Sequence, residues 1–217
     1  MNARSIWATT VYFFRWADHG DEAPRIIGHL YEVQKRETQN IASGIALSSK
    51  PERGLFESKF DLFESAHPGL RQLTSFIGNA LCHAVSQENQ GRVAPNQLRA
   101  SVVESWFHIT NDGGFHDSHR HHHCSWCGIY YMQAGDIEPP APGGSARNGV
   151  NRFYSPIGLG GTFLDEGNAH LQNTDFDVIP EDGILMLFPS YLAHSALPYR
   201  GEQDRIAIAF NAQISRR

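Results

Sequence analysis

The sequence predicts a mainly β protein of one domain, with helices gathered in residues 1–98 and a β core over 99–217. Three observations lead there. The chain has 217 residues, of which 41% are hydrophobic, enough to bury one sizeable core and no reason to divide it. Apolar residues recur at helical spacing only in the first part. After residue 98, short aromatic and β-branched runs alternate with Gly, Pro, Asn and Asp turns, the texture of a sandwich or barrel.

Each element follows from its own pattern. "SIWATTVYFFRW" at 5–16 is aromatic and β-branched and suits a first strand. In "DEAPRIIGHLYEVQKRE", Ile26, Ile27, Leu30 and Val33 share one helical face, with acidic residues and Pro24 near the start. A Gly/Ser-rich loop is expected near 43–54. A second helix opens near "HPGLRQL", where Leu70, Leu73, Ile77, Leu81 and Val85 make an apolar stripe with Cys82 and His83 on or beside it. The strand candidates that follow are "LRASVVESWFHIT", "SWCGIYYMQ", "NRFYSP", "GILMLFPS" and "DRIAIAFNAQI", and the Pro/Gly-rich stretch 134–149 reads as a surface loop.

Charge and composition narrow the function classes. Net charge is −5 and no Lys/Arg block occurs, so there is no nucleic-acid signal and no anionic-membrane signal. The longest apolar runs, such as "GILMLF" at 183–188, are strand-sized and far short of a membrane span. Arg15 and Asp18 interrupt the apolar N-terminal residues, so no signal-peptide layout is visible and a cytoplasmic location is expected. Three cysteines, Cys82, Cys124 and Cys127, are too few for a disulfide framework. The oligomeric state stays open, a homodimer being one option.

The segment "GGFHDSHRHHHCSWCGIYY" at 113–131 carries five of the twelve histidines. His119 and His121 are two apart, so on a strand they point to one face and can grip one metal. His121 and His123 share that spacing, and His119 with His123 fits a helix. Because "CGIYYMQ" is strand-like, the turn before it should lie at a strand mouth. Two bland readings compete: an exposed histidine-rich loop, and a zinc or redox role for the CxxC pair Cys124 and Cys127. The latter lacks a second CxxC and leads into a strand where a redox motif would open a helix. Further along, His194 follows Pro189, and Arg205 opens an apolar strand. In that strand Arg205, Ala207 and Ala209 face one way, while Ile206, Ile208 and Phe210 face the other. An arginine among small residues suits the base of a cavity, where a guanidinium binds a carboxylate bidentately.

From Trp106 to Asn211 these parts resemble the Fe(II)/2-oxoglutarate-dependent oxygenases in their prolyl-hydroxylase-like branch, and more narrowly a small oxygenase group of phage and marine bacteria. The resemblance rests on "HRHHHCSWCGIYYMQ", "GILMLFPSYLAHSALP" and "RIAIAFN". It implies a double-stranded β-helix, a jelly roll of cupin type with the N-terminal helices packed on it. It implies His119, His121 and His194 as ligands of Fe(II), with Arg205 pairing the far carboxylate of 2-oxoglutarate. Tyr131 is the implied hydrogen-bond donor to the cosubstrate, with Tyr130 its opposite-facing neighbour. Two departures stand out. The broad family places Asp or Glu two after the first histidine, whereas this chain has His121, as its narrow relatives do; Asp117 is then a candidate supporting partner or replacement ligand. Many members carry Ser where this chain has Ala207, so that hydrogen bond would come from Asn211 or a tyrosine.

The resulting expectation is a hydroxylase-type oxygenase acting on an unidentified small molecule or peptide. Trp106 and His108 are candidates for its pocket wall, and His122, His123 and His170 are expected on surface or loops. The alternatives are a cupin-like three-histidine dioxygenase working without 2-oxoglutarate, and a zinc-binding β-sandwich without turnover.

Overall fold

A computed structural model describes residues 9–42, 54–137, 148–157, 165–166 and 175–217. Most of the loops expected at 43–54 and 134–149, and His170, lie outside the described residues. In chain order the elements are β1 (Tyr12–Arg15), α1 (His19–Ala42), β2 (Leu55–Glu57), α2 (Pro68–Glu88), β3 (Leu98–Thr110), β4 (Gly114–His119), β5 (Trp126–Gln133), β6 (Asn151–Tyr154), β7 (Asp175–Val178), β8 (Ile184–Pro189), β9 (His194–Tyr199) and β10 (Arg205–Arg216).

The strands form two sheets. The larger runs β1-β8-β5-β10-β3-β2 and the smaller β4-β9-β6-β7, with antiparallel pairing throughout. Two such sheets face to face, with helices on the outer face of the larger, make the expected jelly roll. No helix is long and apolar enough to cross a membrane among the described residues.

The period of two along the strands explains how this architecture builds a site. Ile206, Ile208 and Phe210 of β10, Tyr130 and Met132 of β5, and Leu185 and Leu187 of β8 point outward onto the helices, joining Ile26, Leu30, Leu73 and Ile77 in one apolar cluster. Their alternates, Ala207, Ile129, Tyr131, Met186 and Phe188, point between the sheets and form a second cluster. Both faces of the central strands are therefore buried, which is why their sequences read as nearly continuous apolar runs. The stripe on α2 is buried along its length at Leu70, Leu73, Ile77, Leu81 and Val85. Pro68 stands at the start of that helix, where a missing N–H costs nothing.

Four strands escape sequence pattern: β2, β4, β7 and β9. "GFHDSH" and "DFDV" carry mostly polar side chains, so their strand character comes from pairing with β9 and β6 rather than from their own residues. Helix α1 begins at His19, ahead of Pro24, and carries Asp21 and Glu22 in its first turn, where acidic groups complement the helix dipole.

Candidate metal centre

Strand β4 brings His119 to its last position, directly opposite His194, the first residue of β9. His121 lies two residues past the end of β4. It is not on the same strand as His119, contrary to one reading of the spacing; its backbone N–H instead donates to the Ser190 carbonyl at 3.3 Å. That bond ties the loop to the β8–β9 turn and folds the imidazole back over the pair. One ring nitrogen from each of His119, His121 and His194 lies within 4.8 Å of the others. The ring centroids stand 4.4 Å (His119–His194), 5.0 Å (His119–His121) and 5.2 Å (His121–His194) apart.

Supporting contacts leave the inward nitrogens of two rings able to coordinate. His119 Nδ1 meets the Asp117 carbonyl at 2.7 Å, and His194 Nδ1 meets that of Leu192 at 3.0 Å. A carbonyl only accepts, so each Nδ1 carries the hydrogen and each Nε2 keeps its lone pair. Burial keeps the His121 and His194 rings neutral. Desolvation pushes His194 down to about 3 and His121 to about 4, the neighbouring His119 adding to both shifts. Phe188 and Phe153 wall the centre, with ring centroids 4.7 and 5.8 Å from that of His194. Asp117 approaches through its backbone carbonyl, and its carboxylate is not among the grouped ligand atoms.

Arg205 opens β10 and is buried between the sheets at 3% exposure. Its side chain donates to Asn151 Oδ1 at 2.5 Å, and the Tyr131 hydroxyl donates to the same oxygen at 2.9 Å. The guanidinium carbon lies 5.6 Å from the Tyr131 ring centroid, within cation–π range. Desolvation raises the Tyr131 hydroxyl to about 12 and lowers Arg205 from its ordinary value. Arg205 Nε is buried without a hydrogen-bond partner, and among the described residues no carboxylate forms an ion pair with this guanidinium. A buried, incompletely paired cation is costly, so the site suits an anionic ligand. Asn151, on β6 of the smaller sheet, completes the arrangement; nothing in its local sequence, "NGVNRFY", singles it out.

His119, His121, His194, Arg205 and Asn151 all line one cavity of about 400 Å³. Trp106 and His108 line it too, as expected. Asn211 touches the same cavity but stands six residues along β10 from Arg205, roughly 20 Å at strand rise. Its Nδ2 donates to Glu104 at 2.6 Å and its Oδ1 accepts from Cys127 Sγ at 3.3 Å, so the fold does not bring it to the arginine. The Cys124 and Cys127 sulfurs are 3.7 Å apart, and burial raises the Cys127 thiol strongly. Neither joins a group of potential metal ligands among the described residues. His122 and His123 are exposed. Sequence reasoning passed over a second cluster, Glu57, His108 and His116, beside the first.

A family model described as "Putative 2OG-Fe(II) oxygenase" matches residues 104–211, which contain the three histidines, Asn151 and Arg205. No curated protein matches the chain. Among solved structures, a prolyl-4-hydroxylase from Pseudomonas putida superposes with a TM-score of 0.55 at 15% identity, covering 94% of this chain and 92% of that one. HygX from Streptomyces hygroscopicus, crystallised with nickel and 2-oxoglutarate bound, gives 0.59 at 15% identity, with 94% and 83% covered. The α-ketoglutarate-dependent epimerase SnoN from nogalamycin biosynthesis gives 0.57 at 9% identity, with 95% and 78% covered. At these identities the superpositions speak for the fold alone.

Proposed function

Because the chain belongs to the 2-oxoglutarate- and Fe(II)-dependent oxygenase family, we propose that His119, His121 and His194 hold the iron and that Arg205 receives the distal carboxylate of 2-oxoglutarate. The observation that carries this reading is the convergence of three imidazoles and one incompletely paired buried guanidinium on a single cavity. The chemistry supplied there by iron and 2-oxoglutarate is O₂-dependent oxidation of a C–H bond.

The protein's own groups bind, orient and exclude water. Three neutral imidazoles leave the double charge of Fe(II) uncompensated, so a dianionic cosubstrate completes the charge balance that a carboxylate ligand provides elsewhere. Asn151 Oδ1 accepts from both Arg205 and Tyr131, fixing the guanidinium plane before the cosubstrate arrives. Ala207, two residues on, is small and leaves room beside the arginine, where many relatives carry serine. The aromatic wall of Phe153 and Phe188 keeps the His194 side of the site dry. The substrate is a small molecule or peptide that fits the rest of the cavity, and a cytoplasmic location remains part of this proposal.

Anaerobic calorimetry on Fe(II)-loaded protein tests it. Wild type should bind 2-oxoglutarate, and R205A should lose binding while retaining iron. Equal cosubstrate affinity in the two proteins would instead support a three-histidine dioxygenase that works without 2-oxoglutarate. O₂ uptake that depends on 2-oxoglutarate, even without substrate, is the matching activity readout.

A further inference from the structure

Beside the three histidines lies a second convergent donor set. Glu57 ends β2 and is the direct cross-strand partner of His108 on β3, so both side chains leave the sheet on one face. His116 reaches them from β4 of the other sheet. His108 Nε2 stands 3.0 Å from Glu57 Oε2 and 3.1 Å from His116 Nε2, and the remaining edge, His116 Nε2 to Glu57 Oε2, is 3.4 Å. All three side chains are about 14% exposed and line the cavity of the first centre.

Hydrogen bonding alone fits these positions poorly. Each imidazole Nε2 offers either one hydrogen or one lone pair. His108 Nε2 nevertheless faces a carboxylate oxygen that only accepts, the Trp106 Nε1–H at 3.1 Å that only donates, and a second imidazole nitrogen. One proton satisfies one edge of the triangle at a time. A cation near its centre takes a lone pair from all three corners together, displacing the Trp106 Nε1–H contact at His108. The size also suits a metal: donors about 2.0–2.2 Å from a zinc-type ion at tetrahedral or octahedral angles lie roughly 2.8–3.6 Å from one another, and the three edges fall within that span.

We propose that Glu57, His108 and His116 form a second site for a divalent transition ion of zinc type, facing the same cavity as the histidine triad. Two imidazoles and one carboxylate suit Zn²⁺, Co²⁺ or Fe²⁺ and disfavour Ca²⁺ or Mg²⁺, which prefer oxygen donors. The two centres adjoin, since the His116 and His119 rings stand 5.7 Å apart. Three protein ligands leave open positions toward the cavity, where such an ion would take an oxygen donor from an occupant. The site shares only strand β4 with the triad, none of its three residues is a triad ligand, and it stands independently of the iron reading.

Co²⁺ titration of metal-free, full-length protein, followed by calorimetry and visible absorption, tests it. Wild type should take up two equivalents. E57Q and H108N should each take up one, and H194N should also keep one, with a spectrum different from that retained by E57Q. E57Q combined with H194N should bind none tightly. Circular dichroism of each variant checks that it is folded, and the wild-type stoichiometry stands without any variant. A single equivalent in wild type that survives E57Q and H108N overturns the proposal. An ion lost in E57Q yet kept in H194N supports it even if the triad binds nothing.

Discussion

At His194, burial outweighs hydrogen bonding. Desolvation drives the imidazole down to about 3, against a smaller upward pull from the Leu192 carbonyl, and His121 follows to about 4 for the same leading reason. In the unfolded chain both titrate near 6.5. Below that pH the unfolded state binds protons that the folded state refuses, so stability is full above about 6.5 and falls as the pH drops toward 4. Thermal melts of the metal-free protein should show this loss between pH 6.5 and 4, and H194N should have a shallower slope there. H194A should also bind Fe(II) far more weakly than wild type in anaerobic titrations, since the proposed ligand set would fall from three to two.

Strand β10 divides its labour by face, and single substitutions separate the two tasks. On the inner face, R205K keeps the charge but loses the planar fork. A charge-assisted hydrogen bond contributes roughly 1.5–3 kcal/mol, so the KM for 2-oxoglutarate should rise about ten- to a hundredfold with a smaller change in kcat. N151A should act in the same direction, because Asn151 Oδ1 orients both Arg205 and Tyr131. The outer face carries packing. At Gly128 on β5 an added Cβ would run into the Phe210 ring of β10 and Leu187 of β8. G128A should therefore destabilise the fold by about 1–3 kcal/mol, seen as a lower Tm, with iron affinity unchanged in the protein that remains folded.

Across the whole molecule the candidate site draws its residues from both sheets. The smaller sheet supplies His119, His194 and Asn151, while the larger supplies Tyr131 and Arg205. Metal held by one sheet and cosubstrate held by the other should tie the two together. Saturating both should raise Tm more than either alone. At a hundredfold excess over Kd one ligand contributes about 2.7 kcal/mol, or roughly 5–10 °C for a chain of this size. Differential scanning fluorimetry with Ni²⁺, 2-oxoglutarate and both checks this.

What the sequence by itself determined follows from local periodicity and from motif order. The helices α1 and α2, the central strands β3, β5, β8 and β10, and the inward face of Arg205 and Ala207 all obey a period of 3.6 or 2 within a single segment, so they could be read without a fold. His119, His121, His194 and Arg205 stood out as candidates because their types and order resemble a known family. Only the tertiary structure decided the rest. Strands β4 and β7 owe their conformation to partners distant in sequence. Asn151 meets Arg205 from 54 positions away in sequence. Asn211, promising by its place on β10, lies too far along the strand and is engaged by Glu104 and Cys127. Glu57, His108 and His116 converge only once β2 pairs with β3 and β4 crosses from the opposite sheet. Register between strands is a long-range property, and no pattern within one segment encodes which residues it will set face to face.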